Sequence, residues 1–264
     1  MVIFPIGYNI KIRMKLAALI NAFNNTSMLL SAVESIRGKV DLIIISASTH
    51  SHYGKEITNI DKERIESIKG VELIWFKPKI GVTPHENSKN KVQQRIEKAK
   101  DMGCSHFLLM AEDHFYTDKQ FQWAKKSIET YDPDITLSKM YTYYKHPTWQ
   151  LYPIEDYFMP FICKLYADTL VTTLPYPYKV DPSVRVKPSE SFLEFHEDEL
   201  MLHHFSMVRD SIYEKLNNSA ASQNWRDTIS EKIREYEHYD LKENKGIKYF
   251  KGRKVKLVDN YFGL

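Results

Sequence analysis

The segment Gly103–Tyr116, GCSHFLLMAEDHFY, constrains the fold of this chain more than any other. Its apolar run His106–Met110 follows a helix-like segment that stops at Gly103. A run of that length after a helix predicts a central strand, buried on both faces, of an α/β sheet. Glu112, Asp113 and His114 come directly after it. In open α/β sheets ligands sit at the carboxyl ends of the strands. Hard oxygen ligands in that place suit a divalent cation that neutralises phosphate charge. A solvated turn of ordinary polar residues would account for the same three side chains, so the rest of the chain has to decide.

Upstream, strands and helices alternate. Lys15–Ala22 reads as a strand ending in the polar turn Asn21–Asn25. Ser27–Arg37 has helical spacing through Leu29, Leu30, Val33 and Ile36 and stops at Gly38. Val40–Ile45 reads as a second strand, Lys62–Ile68 as a helix and Val71–Phe76 as a third strand. The stretch Lys77–Asn87, rich in Pro, Gly and Asn, reads as a loop, and Lys89–Asp101 as a charged helix leading into the opening strand. This order predicts a parallel, doubly wound half. Residues 1–13 match no element of it, and Met14 is an alternative start.

After Asp113 the pattern changes. Lys119–Thr130 reads as a helix and Asp134–Lys139 as a strand, and Met140–Trp149 is aromatic and basic. Phe158–Leu165 is apolar, but Pro160 inside it argues for an edge or a bend. Arg209–Asn217 reads as a helix, followed by a polar helix to about Tyr239. The basic tail Lys242–Lys256 alternates like an edge hairpin guarded by lysines. No repeat or linker divides the chain, which predicts one domain over residues 1–264.

Composition excludes several classes. Apolar residues make up 43% and charged residues 27%, as in a globular protein. A net charge of +3 does not force a general polyanion-binding role. Cys104 and Cys163 sit in apolar runs, which predicts reduced core thiols rather than a disulfide framework. No apolar run approaches membrane-spanning length. Asn9, Lys11 and Arg13 interrupt the N-terminal apolar stretch, so it does not read as a signal peptide, and the expected location is the cytoplasm.

With these pieces in order, the chain resembles a GT-A glycosyltransferase of the family-2-like kind over most of residues 14–220. The segments that carry the resemblance are KNKVQQRIEKAKDMGCSHFLLMAEDHFY (89–116), VDPSVR (180–185) and MLHHFSMVRDSIYEKLNNS (201–219). It implies an α/β, GT-A-like fold: a Rossmann-type, mostly parallel sheet flanked by helices, with a mixed acceptor-side half. Two departures stand out. The family's Asp-x-Asp positions fall on Ala111, Glu112 and Asp113, so the first acid is missing. Its Arg-Asn pair near the helix start appears as Val92-Gln93.

The implied activity is transfer of a hexose or pentose from a nucleotide-diphosphate sugar, UDP-sugar foremost, to an acceptor hydroxyl. The resemblance implies a divalent metal, Mn²⁺ or Mg²⁺, held by Asp113 and a histidine from the later block. His203 and His204 both match, and as neighbours they point different ways, with His204 preferred. Nucleotide-sugar contacts are implied for Phe23, Asn24, Ser46, Lys89, Lys91, Gln93, Glu112, Asp113, Arg209 and Lys215. Arg209 and Lys215 are the candidates for diphosphate oxygens, although a solvated helix face would explain them as well.

An inverting transferase needs a carboxylate base; Asp181, Glu197, Asp198 and Asp156 are all open, and a retaining one needs none. Asp181 with Arg185 is preferred, although a plain Asp-Pro turn explains the same residues. Acceptor contacts are expected from Tyr143, Trp149 and Asp156, since aromatic faces stack on sugar rings and on nucleobases alike. The acceptor is therefore a saccharide or a hydroxymethylated pyrimidine in phage-type DNA, the latter flipped out to be reached. Two other classes stay open. A nucleotidyltransferase would carry a glycine-rich phosphate loop near the first strand, and Asn21–Asn25 contains no glycine. A catalytically inactive nucleotide-sugar or nucleic-acid binding module would explain Ala111. Oligomeric state is open.

Overall fold

The computed structural model describes residues 13–23, 26–209 and 211–264. The expected extension over residues 1–13 therefore lies outside them save for Arg13, and so does the nucleotide contact expected of Asn24. The first half alternates as anticipated: β1 (Leu16–Ala22), α1 (Leu29–Ile36), β2 (Leu42–Ser48), α2 (Asn59–Ser67), β3 (Glu72–Phe76), α3 (Pro84–Asp101) and β4 (His106–Ala111). β1 pairs in parallel with β2 on one side and β4 on the other, and β3 lies outside β2.

Strand alternation sorts β1 between two cores. Leu16, Ala18 and Ile20 face α1, α2 and a later helix, whereas Ala17 and Leu19 face Val92, Ile96 and Ala99 of α3. That sandwiching explains why β1, β2 and β4 read as continuous apolar runs.

α3 begins five residues before the expected Lys89. Thr83 accepts from the Glu86 backbone N–H at 3.2 Å, and Pro84 opens the first turn. This Thr-Pro-His-Glu start matches a capping box, and Pro is tolerated at the first helical position. Asn87 is thus helical, and its amide ties down the preceding loop through Lys79.

The second half is mixed. In chain order it comprises β5 (His114–Phe115), α4 (Asp118–Tyr131), β6 (Ile135–Tyr144), β7 (Trp149–Tyr152), β8 (Met159–Lys164), β9 (Leu170–Val171), β10 (Val186–Lys187), β11 (Phe192–Glu194), β12 (Met201–Met207), α5 (Ile212–Asn218), α6 (Ile229–His238) and β13 (Lys254–Leu257). The main sheet runs β13-β7-β6-β8-β4-β1-β2-β3, with β11 and β12 parallel to β6 and β5 antiparallel to β12; β9 and β10 pair separately. The expected α/β architecture, a mostly parallel helix-flanked half joined to a mixed half, is present. Among the described residues no helix is long and apolar enough to cross a membrane. Cys104 and Cys163 are buried free thiols.

Two strand expectations are corrected. β8 is interior, between β4 and β6, despite Pro160. Pairing with β4 stops at Ile162, and the β6 register shifts between Ile135 and Leu137, so the missing N–H at Pro160 falls beside an irregularity. β6 extends to Tyr144 rather than stopping at Lys139, absorbing much of the aromatic stretch. At the far edge β13 pairs antiparallel with β7, with Val255 buried between the exposed Lys254 and Lys256. A turn closed by the Ile247–Arg253 bridge leads into it.

Candidate active site

β1 is the point where the strand order reverses: the chain proceeds from it to β2 on one side and later returns to β4 on the other. Such a switch point opens a crevice at the carboxyl ends of the strands. Register puts Asn21 opposite both Ser46 and Ala111. One step on, the Phe23 N–H donates to Glu112 Oε2 at 3.0 Å, and the Glu112 N–H donates to Asn21 O at 3.1 Å. The two strand ends are thereby tied together where a cavity of about 290 Å³ opens.

Below this cavity α3 contributes two buried cations. Lys91 Nζ donates to Ala22 O at 2.9 Å and Ser48 Oγ at 2.7 Å. Arg95 donates to Leu19 O at 2.8 Å. Burial, with Arg95 nearby, drives the Lys91 pKa well below its ordinary value, and Glu112 opposes that shift. Burial in turn pushes Glu112 up to about 7; Asp113 adds to the push, while Arg209, Lys91 and the Phe23 N–H resist it.

Asp113 occupies the centre. Its Oδ2 accepts from Arg209 Nη2 at 3.1 Å, and its Oδ1 lies 3.9 Å from His114 Nε2 and 3.8 Å from His204 Nε2. The β5–β12 pairing sets His204 opposite His114 and makes this convergence possible. Burial opposes charge on Asp113, but His204, Lys215, His114 and Arg209 together hold its carboxyl well below the usual carboxylate range. Burial lowers His114 to about 4 and His204 to about 3. Near neutral pH both imidazoles are therefore uncharged, the form that binds metals, and Arg209 is the standing counter-charge; burial, with Arg209 close by, lowers the Lys215 pKa, and Asp113 and Glu112 oppose that shift. Ligand atoms of Asp113, His114 and His204 all lie within 4.8 Å of one another, so this trio fits a divalent ion.

The far wall comes from α5 and the turn after it. Lys55 Nζ pairs with Glu214, and Tyr53 OH donates to Ser219 O at 3.2 Å, so the loop after β2 is pinned across the cavity mouth. His52 lines the same mouth; burial, with Lys91 and His85 close by, lowers it to about 4.

Of the residues singled out from sequence, Phe23, Lys91, Glu112, Arg209 and Lys215 line the cavity, and Asp113 and His204 adjoin it. Others lie elsewhere. Gln93 accepts from the Val171 N–H at 2.7 Å, which anchors α3 to β9 and takes its amide out of the cavity. Lys89 is on a half-exposed flank of α3, and Ser46 is buried within β2 with its hydroxyl unpartnered. Asp181 caps the 3₁₀ turn Pro182–Val184, its Oδ1 accepting from Ser183 N and Oγ, and Ser183 and Val184 line the cavity. Arg185 donates to the Val180 and Leu174 carbonyls, so its guanidinium organises backbone rather than the Asp181 carboxylate.

Among the expected acceptor residues, Tyr143 is fully buried and stacks on Phe205 with ring centroids 4.2 Å apart. Trp149 packs toward Tyr239 in a cluster under α5 and α6, and Asp156 is exposed on the loop before β8. None of the three reaches the cavity lining.

Sequence reasoning missed Arg95, and it placed His114 at the end of the strand without giving it a ligand role. Arg95 follows Lys91 by four residues on the helix face that also carries Val92, Ile96 and Ala99, so a cationic pair inside an apolar stripe was the available signal. His114 lies directly after Asp113, but its partnership depends on β5 pairing with β12, and no local pattern announces that.

No family model matches the chain, and no curated protein matches it. Among solved structures it is similar to S. aureus TarS 1–349, with a TM-score of 0.46 at 10% identity over 73% of this chain and 61% of that one. It is similar to the same TarS segment in complex with UDP-GlcNAc, with a TM-score of 0.36 at 12% identity over 49% and 35% of the two chains. A third similar structure is glucosyl-3-phosphoglycerate synthase from Mycobacterium tuberculosis in complex with Mn²⁺ and UDP-glucose; its TM-score is 0.33 at 14% identity, over 50% and 45%. The chain spans 61% of the length of TarS 1–349.

Proposed function

We propose that the chain is a glycosyltransferase that moves a sugar from a nucleotide-diphosphate donor, UDP-sugar foremost, to a saccharide hydroxyl. The observation that carries this reading is the surroundings of Asp113. At the strand switch point the buried Asp113 carboxylate faces two neutral imidazole nitrogens on one side and Arg209 with Lys215 on the other. That arrangement suits a leaving diphosphate, whose negative charge grows during transfer.

Each residue takes a role from its position. Arg209 and Lys215 donate to phosphate oxygens, the former with the fork geometry that favours paired contacts. Phe23, at the end of β1, offers a ring to the base. Asp113, His114 and His204 hold a divalent ion, which when bound supplies Lewis-acid stabilisation of the diphosphate. Two nitrogens and one carboxylate favour Mn²⁺ over Mg²⁺, which prefers oxygen and water ligands. Glu112 keeps the Phe23 turn in place through its accepted N–H.

In this reading Asp181, two residues before the cavity-lining Ser183, is the base that takes the acceptor proton. Asp181→Asn is expected to lower turnover by about 100-fold with donor affinity unchanged. Near wild-type turnover in a coupled nucleotide-release assay would remove it from that role.

The reading as a whole is tested by thermal shift with nucleoside diphosphates and nucleotide sugars, each with Mn²⁺, Mg²⁺ or chelator. A ligand at 100 times its Kd stabilises by about 2.7 kcal/mol, a rise of several degrees. The expected result is a rise selective for one nucleotide sugar, larger with Mn²⁺ than with Mg²⁺ and lost with chelator. No rise with any donor overturns the proposal. A rise without turnover favours a binding module, and pyrophosphate release from a nucleoside triphosphate and sugar phosphate favours a nucleotidyltransferase.

A further inference from the structure

A second cavity, of about 960 Å³, shares no lining residue with the first. It lies between the start of α4, the β6–β7 hairpin, the turn after β11 and the segment that follows β13. Its rim is aromatic: Trp123, Tyr152 and Tyr261 are 45%, 43% and 55% exposed, and Tyr141 lies deeper. Exposed rings along an open groove present flat apolar faces with polar edges, the surface against which the C–H faces of sugar rings pack.

The inner lining is polar. Gln150 is only 7% exposed, yet among the described residues its side-chain amide has no hydrogen-bond partner, and it lines the groove. His203 is 3% exposed; its Nδ1 is engaged by Tyr143 OH at 2.7 Å, and no partner within the described residues reaches Nε2. Tyr143 thus serves the groove indirectly, by fixing the orientation of the His203 ring. Both groups border the open groove, where an amide and a ring nitrogen can exchange water for hydrogen bonds to a hydroxyl-bearing ligand.

Charge narrows the occupant. Glu197, Asp198 and Glu199 line the groove against Lys119 and Lys256. Three carboxylates against two ammonium groups disfavour a phosphate polymer such as DNA, whose binding is dominated by cationic contacts. We infer that this groove is a binding site for an uncharged oligosaccharide, held by ring stacking on Trp123 and Tyr152 and by hydrogen bonds to Gln150 and His203. Its use as a holding site for the saccharide acceptor rests on the transferase reading; the binding itself does not.

The test is a printed array of neutral and anionic glycans, with a 20-nucleotide poly(dT) strand alongside, probed with the full chain and followed by titration of the strongest neutral hit. Neutral glycans are expected to bind, and Trp123→Ala, Tyr152→Ala and Gln150→Leu each to weaken that binding by about tenfold or more. Tyr131→Ala, which removes an exposed ring outside both cavities, should leave it unchanged, with thermal melting confirming that every variant is folded. Absence of any neutral glycan binding overturns the inference, as does binding that survives all three groove substitutions, or binding of poly(dT) in place of glycans. Nucleotide-sugar shifts measured on the same samples separate the two ideas: donor binding without glycan binding sinks only the groove, and the reverse sinks only the transferase.

Discussion

Asp113→Asn is expected to abolish the Mn²⁺-dependent thermal shift and to lower sugar transfer by about 100- to 1,000-fold. The carboxylate does two jobs at once. One oxygen accepts from Arg209 and the other faces His114 and His204. An amide removes the charge that keeps an ion between the imidazoles and leaves Glu112 as the remaining buried carboxylate beside Arg209 and Lys215. Losing one partner of a buried pair costs about 3–5 kcal/mol, so a lower Tm accompanies the catalytic loss. His204→Ala separates the two effects, because it removes a metal ligand and keeps the Arg209–Asp113 pair. Metal-dependent activity should then fall with a smaller change in Tm. Full transfer by the Asp113 variant would remove this carboxylate from the centre of the chemistry.

Phe161→Ala is expected to produce the largest loss of stability, about 3–5 kcal/mol. Phe161 is fully buried at the middle of β8, and its ring lies 4.8 Å from Tyr116, 5.3 Å from Phe121 and 6.3 Å from Phe195 by centroid distance. It joins the interior strand to α4 and to the chain after β11. Truncation leaves a void among large rings that cannot collapse without moving the sheet. Chemical denaturation monitored by circular dichroism should show the midpoint moving to lower denaturant. A loss below about 1 kcal/mol would mean that these rings close the gap.

The parallel half was legible because its physics is local. β1, β2 and β4 are buried on both faces and read as apolar runs; the start of α3 is just as local, in Thr83–Glu86, but was read as part of the Lys77–Asn87 loop. The Glu112-Asp113 turn was legible for the same reason, lying directly after an unmistakable strand. What escaped depends on pairing between distant segments. Pro160 argued for an edge, but whether a missing N–H matters depends on which neighbour is absent at that rung. Tyr143 looked available for stacking because β6 was expected to end at Lys139; the longer strand and β12 bury it. Gln93 pointed to the nucleotide by its place near the helix start, yet α3 turns that face toward Val171. The choice between His203 and His204 was framed correctly as a question of facing, and only the β5–β12 register could answer it.

His203 and His204 are successive residues of β12, one lining the groove and the other beside Asp113. The strand is therefore a wall shared by two chambers, and its residues serve them by parity. Deleting one residue just ahead of this pair would leave the composition almost untouched while exchanging the two imidazoles between chambers, so that neither site kept its own. Substitutions can tune either chamber separately, but the length of the wall before the pair belongs to both. A chain that diverged freely in sequence would still keep that count.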